Sequence, residues 1–169
     1  MRLAIAQINP TVGALEANRK LAERAIDDAV RAAADLVVLP EMALTGYPPM
    51  DLLERDGFVR DQLRELEKLE RASKRIAIAL GAVLPLPEGR PKQLTNAAVL
   101  MAGGKRLAVQ PKTLLPSYDV FDEKRYFAPA EKREPVRLPG QKTTLGLSVC
   151  EDTWVEMLPY ADNPVEDLV

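Results

Sequence analysis

The chain has 169 residues, 47% hydrophobic and 28% charged, with a net charge of −2. That balance suits one soluble globular domain with a real core, and no basic stripe with interleaved aromatics points to nucleic acid. There is no histidine and only one cysteine, which excludes Ser-His-Asp and Cys-His catalysis, the usual zinc sites and an internal disulfide.

Catalytic proton transfer is thereby left to Glu, Asp, Lys, Tyr or Cys, and metal binding to carboxylate-type ligands. No apolar run approaches the roughly 20 residues that span a bilayer. The N-terminus enters a strand-like pattern with no signal-peptide layout, and a lone cysteine fits a reducing cytoplasm.

Arg2 to Ile8 reads as a first strand, closed by Asn9-Pro10. Residues 14–34 place Leu21, Ala25, Ile26, Ala29 and Ala33 at spacings of three and four, which predicts an amphipathic helix. Leu36-Val37-Val38-Leu39 is a short, wholly apolar strand, ended by Pro40 and followed by Glu41. Residues 43–49 form a loop dense in turn residues, and Asp51-Leu52-Leu53 starts a short helical turn. A second helix runs from Phe58 to about Lys74, with Val59, Leu63, Leu66 and Leu69 on one face.

Ile76 to Leu84 is the next strand, and Pro85 to Pro91 a turn. Thr95–Met101 and Arg106–Gln110 form a hairpin about Gly103-Gly104. Residues 113–134 hold no clear periodic element. A short strand near Val136-Arg137-Leu138 and a turn at Pro139-Gly140 lead to Leu145, Leu147 and Val149, which alternate as in a buried strand ending at Cys150. This order of elements argues for an α/β or α+β layered domain, with helices packed on a sheet. There is no internal repeat and no Gly-rich phosphate loop.

Glu41, Lys112 and Cys150 each follow an apolar strand. If the strands lie side by side, the three converge at one edge. A thiol nucleophile then needs a base, which without histidine must be a carboxylate. A carboxylate in a desolvated pocket holds a proton more tightly, and a lysine beside a backbone N–H stabilises an oxyanion. Each residue also has a plainer reading: Glu41 as a cap, Lys112 as a surface charge, Cys150 as core filler.

Pro40-Glu41, Lys112 and Val149-Cys150-Glu151 resemble the Glu-Lys-Cys triad of the nitrilase, or carbon–nitrogen hydrolase, superfamily. The longer blocks at residues 40–53, 112–127 and 150–154 resemble, more narrowly, the glutaminase domain of glutamine-dependent NAD+ synthetases. The resemblance implies an αββα sandwich, incomplete at the C-terminus, that associates through its sheets into oligomers. It implies Glu41 as general base, Lys112 as oxyanion-stabilising cation and Cys150 as nucleophile. Glu123 would orient the lysine, and the N–H of Glu151 would complete the oxyanion hole. Tyr118 would line the glutamine pocket, and Tyr47 would shape its entrance.

The implied reaction hydrolyses glutamine through a thioester and passes ammonia to a synthetase domain that amidates deamido-NAD+. No metal or cofactor is implied in residues 1–169, since ATP and magnesium serve the synthetase domain. Glutamine, that domain and further copies of the chain are the implied partners. The family domain continues past position 169, so this chain expressed alone is expected to be poorly soluble and inactive. Two alternatives stand beside this one: a stand-alone amidase acting on another small amide, and a non-catalytic folding or interaction module.

Overall fold

The computed structural model describes residues 1–55, 57–87, 93–155 and 160–169. Its main sheet has five strands in the order β1 (Leu3–Ile5), β2 (Leu36–Val38), β3 (Ala77–Pro85), β4 (Leu94–Ala102) and β5 (Lys105–Pro111). The first three are parallel, because a helix crosses over between each pair. β4 is antiparallel to β3, and β5 to β4. Gly103 and Gly104, at φ +64° and +82°, make the tight β4–β5 turn, a conformation that disfavours any side chain. β2, β3 and β5 therefore point the same way. Their carboxyl ends share one sheet edge with the start of β4.

Helices α1 (Leu15–Arg31) and α2 (Phe58–Ala72) cover one face of the sheet. α1 buries Asn18, Ala22, Ile26 and Ala29, and α2 buries Gln62, Leu66 and Leu69. The spacing is that of a single helical stripe. They meet Val37, Ile78, Leu80 and Val99 in the main core. An ion pair from Arg19 Nε to Glu65, at 2.6 Å, joins the helices at the rim of this core. Ala33, expected on the α1 stripe, instead lies past the helix at φ +52° and is exposed.

The opposite sheet face carries a second, smaller sheet of β6 (Val136–Arg137) and β7 (Thr144–Leu145). Leu138, Leu145 and Leu147 pack there on Leu36, Ala79 and Leu100. β3 is thus buried on both faces over residues 77–84, which explains its unbroken apolar run. Of the four layers of an αββα sandwich, helices, sheet and second sheet are present among the described residues.

Two expectations need correction. The strand leading to Cys150 is paired only at Thr144–Leu145. Residues 146–149 keep the alternating burial of a strand, but no neighbouring strand pairs with them among the described residues. Residues 113–134 are not without an element: Glu123–Tyr126 form a short helix, α3, too brief to show helical periodicity. The turn expected over residues 85–91 lies mostly outside the described residues.

Candidate active site

Glu41 comes three residues after β2, in a turn laid directly on β3. Gly81 makes this possible. Its N–H donates to the Pro40 carbonyl at 3.0 Å, and its own carbonyl accepts from Ala43 N–H at 3.0 Å. A Cβ at position 81 would lie 2.4 Å from the Glu41 Cα, so a side chain would displace the turn. The loop beyond is tied to α1, where buried Asn18 donates to the Leu44 carbonyl at 2.8 Å and pairs with both polar groups of the Thr11 backbone.

Lys112 follows β5 directly and is 1% exposed, the largest side chain so deeply buried. Its Nζ donates to Glu41 Oε1 at 2.9 Å and to Glu123 Oε1 at 2.8 Å. α3 exists to present Glu123, which is 4% exposed. Burial works to lower the Lys112 pKa, but Glu41 and Glu123 outweigh it and hold the ammonium above its ordinary range. Burial pushes Glu123 upward, with Lys112 opposing.

Cys150 opens a 3₁₀ turn, Cys150–Thr153, from a backbone at φ +43°. Such strain in a non-glycine residue persists where the surroundings enforce it, and it clusters at functional sites. Asp152 enforces it here. This buried carboxylate accepts from the N–H groups of Thr113 at 2.9 Å, Leu114 at 2.8 Å and Val149 at 3.1 Å. It therefore locks the chain after Lys112 to the turn that carries the thiol. Cys150 is exposed as a residue. Its thiol pKa is nevertheless raised, first by burial and then by Glu41, with Lys112 opposing. These influences favour the neutral thiol. Glu41 and Cys150 line the same cleft, of about 320 Å³, floored by Leu36, Val38, Leu147 and Val149.

The remaining expected residues are placed as follows. Glu151 is buried at 4% exposed, and its Oε1 accepts from Tyr118 Oη at 2.9 Å and Tyr160 Oη at 2.6 Å. The Tyr118 ring stays 42% exposed and meets Phe121 edge-on, with centroids 5.5 Å apart. Tyr47 donates its hydroxyl to Glu123 Oε1 at 2.8 Å, so its polar end is engaged by the lysine cluster. Burial and that bond raise the phenol, which stays protonated.

Three residues of the site were missed in sequence. Asn96, wholly buried in β4, donates Nδ2 to Glu41 Oε1 at 2.5 Å. One polar amide in the run Leu94-Thr95-Asn96-Ala97-Ala98-Val99 was a usable signal. Asp152 had one too, as an acid two residues beyond Cys150. Tyr160 had none, because only the folded chain brings it to Glu151. Among the described residues no cluster of acidic or sulfur side chains could hold a metal ion, and no helix is long and apolar enough to cross a membrane.

The carbon-nitrogen hydrolase family model matches residues 2–163. The chain belongs to the carbon-nitrogen hydrolase family. This hydrolase chain is 41% identical to a glutamine-dependent NAD(+) synthetase of Synechocystis sp., over 99% of its own length but 31% of the relative's. Its fold superposes on a glutamine-dependent NAD+ synthetase from Acinetobacter baumannii, solved with ADP, at a TM-score of 0.81 and 32% identity, covering 90% of this chain and 28% of that one. An amidase from Nesterenkonia sp. AN1, of which one mutant shows Michael addition of acrylamide at the active site cysteine, superposes at 0.75 and 27% identity, covering 90% and 58%. The carbon-nitrogen hydrolase chain thus spans less than a third of each of these two synthetases.

Proposed function

We propose that this chain is the glutaminase part of a glutamine-dependent NAD+ synthetase, with Cys150 as nucleophile. The observation that carries the chemistry is the buried Lys112 ammonium, shared by Glu41 at 2.9 Å and Glu123 at 2.8 Å, with Glu41 and Cys150 lining one cleft. The synthetase relatives, matched along nearly the whole chain, support the substrate.

Glu41 takes the proton from Sγ as sulfur attacks the glutamine δ-carbonyl carbon. The carbonyl oxygen becomes an oxyanion, met by the Lys112 ammonium and the N–H of Glu151. Glu41 returns its proton to the leaving nitrogen, the C–N bond breaks, and ammonia departs from a thioester. Water, deprotonated by Glu41, then releases glutamate and restores the thiol. Glu123 holds the lysine, and Tyr47 holds Glu123. Tyr118, whose open ring stands beside Glu151, borders the substrate. No cofactor enters this chemistry. ATP and magnesium serve the synthetase reaction, which consumes the ammonia. A homo-oligomeric, cytoplasmic enzyme completes the proposal.

The test is ammonia release from glutamine, together with labelling of Cys150 by a glutamine-mimicking diazoketone. Stoichiometric labelling that disappears in Cys150→Ala supports the assignment, and labelling that persists in that variant sinks it. The likeness to the Nesterenkonia amidase favours a second reading, an amidase for another small amide. A panel of short amides separates the two: faster turnover of any of them than of glutamine would establish the second.

A further inference from the structure

Among the described residues Glu41 receives two hydrogen bonds, and both fall on the same oxygen. Lys112 Nζ reaches Oε1 at 2.9 Å and Asn96 Nδ2 reaches it at 2.5 Å. No described group donates to Oε2. Asn96 sits near the start of β4, with no exposed surface, and its Oδ1 is buried with no partner among the described residues. Burying an unpaired amide oxygen is unfavourable, and an apolar residue of the same size would avoid it. The amide cannot turn round to help its oxygen, because Oδ1 would then face a carboxylate oxygen. The backbone reinforces the arrangement: Lys112 N–H donates to the Asn96 carbonyl at 2.8 Å, which locks the amide and the ammonium into one unit.

We propose that Asn96 is a positioning residue that fixes the Glu41 carboxylate through Oε1 and so reserves Oε2 for the Cys150 proton. This rests on the reading of Glu41 as the base. Two donors on one oxygen hold the carboxylate against rotation about its last bond. The proton leaving Sγ then always meets the same, unbonded oxygen, and it returns to the leaving nitrogen from there. Lys112 alone would leave the carboxylate free to pivot on one contact, and the two oxygens would exchange roles.

Asn96→Leu removes the donor at nearly constant size. The test compares the intact protein, Asn96→Leu, Glu41→Gln and the double variant. It measures Cys150 alkylation by iodoacetamide at neutral pH, read by mass, and kcat and KM for glutamine. Asn96→Leu is expected to lower kcat on the order of 10²-fold, with KM within about twofold, and to slow alkylation about tenfold. Added to Glu41→Gln, it should slow alkylation no further, since its effect passes through the carboxylate. Equal slowing in both backgrounds, or no slowing in either, overturns the positioning role. If Glu41→Gln alone is alkylated as fast as the unsubstituted protein, the base reading fails and the proposal falls with it. If alkylation follows the expected pattern while glutamine is not hydrolysed, only the substrate reading fails. Should Asn96→Leu melt differently from the parent, the smaller Asn96→Ala, which also lacks the donor, replaces it under the same criteria.

Discussion

Glu41 and Glu123 share the single Lys112 ammonium, and that sharing decides what each substitution does. Glu41→Gln keeps the size of the side chain and loses only the proton acceptor, so thioester formation should fall at least roughly 10²-fold while the protein melts as before. Pre-steady-state trapping of the thioester checks this, and near-normal turnover would falsify the base role. Lys112→Met is a different case. On the proposed mechanism it removes an oxyanion stabiliser worth on the order of 3 kcal/mol, and it also leaves two acids in the interior without their cation. Burial already holds Glu123 above its ordinary value of 4.5, and losing the lysine raises it further. An acid whose folded-state pKa is raised supports the fold below its unfolded value, and that support is lost as pH rises through the folded one. The melting deficit of Lys112→Met should therefore be small near pH 4.5 and grow toward neutrality. A deficit that does not change with pH would show that the lysine is not neutralising these acids.

At the scale of elements, the site is held together by backbone joints between strand ends. Glu41 and Lys112 follow the carboxyl ends of β2 and β5, Gly81 in mid-β3 is the platform under Glu41, and Asn96 stands near the start of β4. Gly81→Ala tests the closest of these joints. The added carbon meets the Glu41 backbone at 2.4 Å, backbone against backbone, with no flexible neighbour to yield. We expect a loss of about 1–3 kcal/mol in stability from overpacking and a fall in kcat larger than that stability loss alone explains, because Glu41 itself is displaced. Chemical denaturation and steady-state kinetics on one preparation give both numbers. Unchanged kinetics would mean that the turn shifts without moving the carboxylate.

Across the whole molecule, β1 and β5 are the outer strands of the main sheet. β1 leaves its outer edge without a strand partner among the described residues, and Met1, Leu3 and Ile5 stand 52%, 48% and 77% exposed there. Open apolar edges recruit further chains. Residues 1–169 prepared alone should therefore self-associate as concentration rises, and Ile5→Lys, which places a charge on that edge, should reduce the effect. Light scattering over a concentration series reads it, and equal association of the two proteins would move the sticky surface elsewhere.

Much of this was legible in the residue order alone. Apolar runs separated by helical stripes located every strand of the main sheet and both long helices, because strand and helix periods are local properties. The absence of histidine left carboxylate and lysine, and strand ends picked out Glu41 and Cys150, which line one cleft, and Lys112, which bonds Glu41 from beneath the surface. Local pattern could not supply what depends on who stands opposite whom. It read residues 144–149 as a strand, although among the described residues pairing stops at Leu145 and no strand bonds the next four. It passed over Asn96 and Asp152, whose meaning is a bond to a residue 55 positions away and a clamp across 39. Nor could it show that the Tyr47 hydroxyl holds Glu123. Periodicity tells a residue which way to face, while the partner it meets is decided only when distant strands pair.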